Sequence, residues 1–168
     1  KLLLNAPVST YLPAYKTLTV ATGEKDAEGK PVTRPAKGVM TVQDLMRHTS
    51  GLTYGFFGAG PAREAYNAAE VGSQDNTAIE QANLLASLPL EHDPGTTWEY
   101  SRATDVLGAV VEVASGQTLE DFMKARIFDP LGMDDTAFYI DDAADFPRIA
   151  EPFADQAKLG SRDVFDPS

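Results

Sequence analysis

No cysteine occurs among the 168 residues, so disulfides, thiolate nucleophiles and cysteine-ligated zinc are excluded by inventory. Basic residues are scarce as well: 14 Lys plus Arg stand against 25 Asp plus Glu, a formal charge of −11. Such a chain repels a polyanion, and no basic stripe interleaved with aromatics offers the counterion release that drives nucleic-acid binding. The acidity reads as a solubilising surface. Long apolar runs are missing too: nothing approaches the roughly 18 residues needed to span a bilayer, and no basic-then-apolar signal layout stands at Lys1. The expectation is a soluble chain without a membrane span, starting in the middle of an element and forming a piece of something longer.

What is present is a chain that is 43% hydrophobic, enough at this length for one domain with its own core. The single-domain reading covers residues 1–168, with a helical core at about 41–136 and an irregular acidic segment over 137–168. Leu2 to Tyr15 reads as an extended connector with a short helical turn bracketed by Pro7 and Pro13. Thr22 to Lys37 is nearly devoid of apolar anchors and reads as a solvated loop or loose hairpin. Thr41 and Asp44 have the spacing of a helix N-cap and its returning acid, ahead of an apolar face of Val42, Leu45 and Met46 that stops at His48-Thr49-Ser50-Gly51.

Tyr54, Phe56 and Phe57 follow, set among Gly55, Gly58 and Gly60; such rings either line a cleft or plug a core. A second helix is expected over 76–88, with Ile79, Ala82, Leu85 and Leu88 on one stripe and Pro89 at its end. A third is expected over 101–115, where Val106, Leu107, Val110, Val111 and Ala114 form a broad apolar face and Gly116 supplies the stop. The fourth begins at Thr118, places Glu120 and Asp121 at its positive end and Lys124 and Arg126 near its negative end, and ends near Phe128 before Pro130. Ala137 to Ile140 reads as a short strand. The class is mainly α.

Catalytic inventory is thin. No serine precedes a lysine by three positions, and no G-x-S-x-G elbow, H-E-x-x-H, Walker loop or dinucleotide glycine pattern is present. His92-Asp93 reads as an ordinary loop pair rather than a base with its orienting acid. The acidic cluster from Asp134 to Asp145 lacks EF-hand spacing and its glycine, so it reads as solvated surface, and no metal or other cofactor is expected. The informative stretch is Asp93-Pro94-Gly95-Thr96-Thr97-Trp98-Glu99-Tyr100-Ser101. Its Pro-Gly turn delivers Trp98 and Tyr100 just before the most apolar helix, where the phenol of Tyr100 serves either a structural hydrogen bond or a cleft.

Three blocks of the chain are similar to the serine β-lactamase-like superfamily of class C β-lactamases, penicillin-binding peptidases and carboxylesterases. Met40-Thr41-Val42-Gln43-Asp44-Leu45-Met46-Arg47-His48-Thr49-Ser50-Gly51-Leu52 resembles the family segment T-V-x-D-L-L-x-H-T-S-G-L. Pro94 to Ser101, with Asp105-Val106-Leu107-Gly108 and Ser115-Gly116-Gln117, resembles a second block, and Phe128-Asp129-Pro130-Leu131-Gly132-Met133-Asp134-Asp135-Thr136 a third. They occur in family order and cover the chain to about Thr136.

The resemblance implies the helical subdomain of the β-lactamase/transpeptidase-like α+β fold, without most of its antiparallel sheet. It also implies a mechanism in which a serine acts as nucleophile, a lysine one helical turn later takes its proton, and a tyrosine assists proton transfer to the leaving group. Tyr100 stands at that tyrosine's place. The Ser-x-x-Lys segment is absent, and Lys158-Leu159-Gly160 lies too close to the third block to be the family's Lys-Thr-Gly. Many of the family's β-lactamases read Tyr-x-Asn, whereas here Arg102 follows Ser101. That favours the esterase-like branch, with a guanidinium holding a substrate carboxylate as the alternative. His48 is expected to shape the fold rather than react. Trp98, Tyr54, Phe56 and Phe57 are candidates for the wall of an acyl pocket, with core packing an equal alternative.

The expectation is therefore part of a serine hydrolase that cleaves small ester or amide substrates through an acyl-enzyme, inactive by itself. The rival is a non-catalytic binding module, or one that self-associates as a homodimer or with the missing sheet through its exposed apolar face. The bacterial cytoplasm and periplasm both stay open as compartments.

Overall fold

A computed structural model of the chain describes residues 2–69, 71–73, 75–140 and 146–148. It divides into two compact units, Lys1–Leu119 and Glu120–Ser168. Among the described residues it is mainly helical, with one two-stranded sheet.

In the first unit the connector forms two 3-10 turns, Val8–Thr10 and Pro13–Lys16, the second starting on Pro13, whose missing N–H costs nothing at a helix start. Strands β1 (Thr19–Lys25) and β2 (Pro31–Pro35) make the antiparallel hairpin. They pair Val20 with Arg34 and Lys25 with Pro31, with a register irregularity between Ala21 and Lys25. The other edge of β1 is used as well: the N–H of Ala21 donates to the carbonyl of Leu90, and Leu90 returns a bond to Thr19.

Helix α1 (Val42–Met46) is opened by the expected capping box, in which the Asp44 N–H donates to the Thr41 hydroxyl and the Thr41 N–H donates to the Asp44 carboxylate. Its apolar face is narrower than the sequence suggests. Val42 and Leu45 are buried while Met46 is 55% exposed, because Met46 lies about 100° round the helix from Leu45, at the edge of the face those two define. The stop also differs from the expectation: His48, not a glycine, is the first residue to turn left-handed, at φ 56°.

Helix α2 (Pro61–Ala68) was not foreseen; it starts with Pro61 at its first turn after Gly60 and buries Ala62 and Tyr66. Helix α3 (Ala78–Ser87) carries a second capping box, Thr77 with Glu80. It buries Gln81, Ala82 and Leu85, while Ile79, expected on the inner stripe, is 39% exposed. Helix α4 (Ala103–Ser115) ends on left-handed Gly116 as expected and buries Ala103, Val106, Gly108, Ala109 and Val110. It packs against α1 and α3. Gly108 makes room for Leu119, whose side chain a Cβ there would meet at 3.1 Å, and the buried face is shifted away from Val111 and Ala114.

The core joins Val8, Leu12, Tyr15, Leu18, Val20, Met40, Leu52, Tyr66, Leu90 and the inner faces of α1, α3 and α4. Each fully buried Val or Leu is worth roughly 1.5–3 kcal/mol of transfer free energy. The Tyr15 hydroxyl donates to the carbonyl of Ala82 at 2.9 Å, and burial holds its pKa well above the ordinary phenol value.

Helix α5 (Leu119–Met123) starts on the last residue of the first unit and, in the second, runs through a π turn, Lys124–Phe128, into α6 (Asp129–Leu131), which stops at left-handed Gly132. The helical path therefore passes Pro130 instead of ending before it. The π turn explains this: the Asp129 N–H bonds back five residues to Lys124, and that wider turn gives room for a proline ring that would crowd the carbonyl four residues earlier in a regular α-helix. Residues 137–140 form no strand; Phe138 and Tyr139 are bends where a strand was expected. Most of the acidic segment beyond Ile140, with Lys158-Leu159-Gly160, lies outside the described residues.

Candidate active site

The segment 91–101 is laid along the turn 48–51 by three backbone bonds: Glu91 N–H to Gly51 carbonyl at 2.8 Å, Gly95 N–H to Thr49 carbonyl at 2.7 Å, and Glu99 N–H to His48 carbonyl at 2.9 Å. The turn is fixed from below, since Asp44 accepts from the Thr49 hydroxyl at 2.9 Å and its own carbonyl accepts from the Thr49 N–H. Gly51 has no alternative. Its φ is +85°, and a Cβ there would sit 2.1 Å from the carbonyl oxygen of His92. This explains physically why a turn of this sequence lies beside the Pro-Gly run.

The start of that run is clamped from the hairpin. Arg34 donates two parallel bonds to the Asp93 carboxylate at 2.8 and 2.7 Å, and the Lys37 N–H adds a third at 2.7 Å. The Arg34 hydrogen bonds, followed by that of Lys37, lower the Asp93 pKa to about 2. Asp93 is thus partnered with Arg34 and Lys37, and His92 turns elsewhere, so the two do not form a base and its orienting acid. Gly95 takes φ +82° in the Pro-Gly turn, and the Thr96 hydroxyl donates back to the Asp93 carbonyl at 2.7 Å.

Beyond the turn, side chains alternate in environment. Trp98 is 67% and Tyr100 54% exposed, whereas Ser101 is buried against α4. The rings form a continuous strip. Tyr100 lies 4.9 Å from the His48 ring and 5.3 Å from Tyr54, Tyr54 lies 4.9 Å from Phe56, and His48 meets Trp98 edge-on at 6.4 Å. Phe57 completes it at 4.5 Å from Phe56. Packing of the Tyr100 ring on two sides leaves it a rigid base with the phenol at an open surface. Tyr54 is half-buried, and its pKa is raised, first by that burial and then by the neighbouring Tyr100 phenol. His48 Nδ1 is 3.5 Å from the Ser101 hydroxyl, so its ring faces the Tyr100 segment while its backbone makes the turn.

The sequence candidates Tyr54, Phe56, Trp98 and Tyr100 are thus brought together. Arg102 joins them from beneath. Its guanidinium lies 5.0 Å from the centre of the Tyr54 ring, donates to the Val71 carbonyl at 3.3 Å and stands 3.9 Å from Asp105.

Residues not foreseen in the sequence reading surround this strip. Arg63 on α2 donates to Glu99 at 2.7 Å, to the Thr53 hydroxyl at 2.8 Å and to the Phe57 carbonyl. Glu99 also bonds the Thr53 hydroxyl, and its other oxygen meets His92 Nε2 at 3.0 Å. Asn67, one turn after Arg63, donates to the Gly55 carbonyl at 2.9 Å. The Gly60-Pro61 pair was the available signal for the helix that carries them. Among the described residues there is no group of three or more His, Asp or Glu placed to hold a metal, and no helix is long and apolar enough to cross a membrane.

Comparison with known proteins adds three findings. The family model described as Beta-lactamase matches residues 1–164. Among curated proteins, the chain is 36% identical over 157 residues to Esterase EstB of Burkholderia gladioli, covering 92% of this chain and 36% of that protein. It is 35% identical over 136 residues to the Lovastatin esterase of Penicillium rubens, covering 81% and 33%. Among solved structures, it matches unliganded Simvastatin Synthase (LovD) from Aspergillus terreus with a TM-score of 0.69 at 31% identity, covering 86% of this chain and 34% of that one. The chain spans about a third of the length of each of these relatives.

Proposed function

The chain belongs to the β-lactamase family of serine hydrolases, and from that premise we propose that it supplies the proton-transferring phenol and the acyl wall of an ester-cleaving or acyl-transferring enzyme. One observation carries the reading. Tyr100 stands half-exposed behind the Pro-Gly turn, its ring locked between His48 and Tyr54 and continuous with Phe56.

The chemistry divides between what these residues hold and what the reaction further requires. A serine oxygen attacks the ester carbonyl carbon and gives its proton to the lysine–tyrosine pair, forming a tetrahedral adduct. The C–O bond to the alcohol breaks, and the departing alkoxide takes a proton from the Tyr100 phenol, leaving an acyl-serine. Water or a second alcohol reverses the sequence: its proton passes to the tyrosinate as its oxygen attacks the acyl carbon, the acyl–serine C–O bond breaks, and the serine oxygen takes a proton back from the lysine–tyrosine pair. No Ser-x-x-Lys occurs in the 168 residues, so the nucleophile and the lysine of that pair come from outside them.

Esters fit these residues better than β-lactams. The position where many of the family's β-lactamases carry an amide holds Arg102, whose guanidinium is committed to the Val71 carbonyl, Asp105 and the Tyr54 ring. Those contacts suit a guanidinium that braces the aromatic wall, in keeping with the esterase-like branch. A strip of uncharged rings suits an apolar acyl or alcohol group.

The test is to incubate the pure 168-residue chain with p-nitrophenyl butyrate and with a chromogenic cephalosporin, following colour and intact mass. We expect neither turnover nor an acyl adduct. Stoichiometric acylation, or turnover abolished by changing one serine of this chain, contradicts the assignment.

A further inference from the structure

Helix α2 lies outside every motif that carries the family resemblance, yet two of its side chains reach the functional surface. Asn67 holds the Gly55 carbonyl, and Arg63 holds the Phe57 carbonyl, so the helix grips the ring-bearing loop at both ends. Gly55 is pressed against Asn67 so closely that a Cβ there would lie 2.1 Å from its side-chain oxygen. The same guanidinium turns its second nitrogen to Glu99 at 2.7 Å, and Glu99 is the residue between Trp98 and Tyr100.

We propose that Arg63 and Glu99 are a positioning pair, setting the spacing between the aromatic loop 53–57 and the segment carrying Tyr100 and thereby selecting which acyl groups fit. The proposal rests on the acyl-enzyme reading above. Geometry supports a spacing role over a purely structural one. Arg63 joins two segments that both lie at the functional surface. Its planar fork fixes direction as well as distance, which a lysine cannot reproduce. The pair is also oriented at both ends, since His92 Nε2 and the Thr53 hydroxyl occupy the remaining faces of Glu99, and Glu91 stands 4.0 Å from the Arg63 Nε. With both side chains only about 15% exposed, solvent does not loosen the contact as it does for a surface pair. The strip itself has no other hydrogen-bonded tie from α2 to the Tyr100 segment among the described residues.

Two measurements test it. In the 168-residue chain, Trp98 is the single tryptophan and lies next to Glu99, so its anisotropy decay and the near-ultraviolet circular dichroism report the strip directly. Arg63→Lys and Glu99→Gln should at least double the fast component of Trp98 motion and halve the aromatic dichroism, with far-ultraviolet dichroism unchanged. The double variant Arg63→Gln with Glu99→Gln removes both charges and guards against a fold lost to one unpaired charge. In the full-length protein carrying this chain, Arg63→Lys should change the kcat/KM ratio between p-nitrophenyl acetate and octanoate about tenfold, whereas Tyr100→Phe should lower both alike. Wild-type Trp98 dynamics together with an unchanged acyl-length ratio would overturn the pairing. Loss of selectivity with Tyr100→Phe fully active would instead overturn the proton-transfer role of Tyr100 and leave the spacing role standing.

Discussion

A Cβ on Gly51 would lie 2.1 Å from the carbonyl oxygen of His92, so the turn 48–51 and the segment leading to Tyr100 fit only because one side chain is absent. Gly51→Ala combines a left-handed backbone with that overlap and is expected to cost about 3 kcal/mol or more. Urea unfolding checks it, with a midpoint drop at unchanged m as the expected result. Gly116→Ala makes the control: its φ is +70° with nothing within 4 Å, so only the backbone share, about 1–2 kcal/mol, is lost.

Asp93 gives the chain a defined acid sensitivity. Its folded pKa is lowered to about 2, below the roughly 3.9 of an unfolded aspartate. The stabilisation is therefore fully present above about pH 4 and disappears as pH falls toward 2. Stability measured against pH should show this loss in the wild type, and Asp93→Asn should flatten that part of the profile.

Tyr54 provides a titration readout of the site. Its pKa is raised by burial and, next, by the neighbouring Tyr100 phenol. Tyr100→Phe should bring the Tyr54 ionisation, followed by absorbance near 295 nm, part of the way back toward the ordinary value of about 10. The share due to burial should remain. A Tyr54 titration that does not move shows that the two phenols do not interact.

The two capping boxes should differ in their sensitivity. Thr77→Ala removes an exposed cap and is expected to cost about 1 kcal/mol. Thr41→Ala also leaves the Asp44 carboxylate, only 7% exposed and bonded onward to Thr49, short of a partner. It is expected to cost about 2 kcal/mol. Equal losses in paired thermal melts would contradict the distinction.

The parts legible in the sequence were those encoded locally. Thr41 with Asp44, the Pro94-Gly95 turn and Gly116 each specify their geometry within four residues, and each is found where expected. Helix α2 was hidden because it buries only Ala62 and Tyr66, too few positions to show a period inside a glycine-rich stretch. Arg63 and Glu99 stand 36 residues apart, and no spacing rule links them. Pro130 misled for a different reason: a proline ends a regular helix, but the π turn before it removes the clash. The sequence singled out the rings at 54, 56, 98 and 100; their contiguity depends on the backbone bonds from His48, Thr49 and Gly51, which only the fold creates.

The central claim is that the Tyr100 phenol moves the proton. It is tested most directly by comparing kcat of the full-length protein carrying this chain with that of its Tyr100→Phe variant, on an ester whose alcohol is a poor leaving group. The account predicts a fall of about 10²- to 10⁴-fold, with KM little changed and the melting temperature close to wild type. A variant that turns over the same ester at the wild-type rate contradicts it.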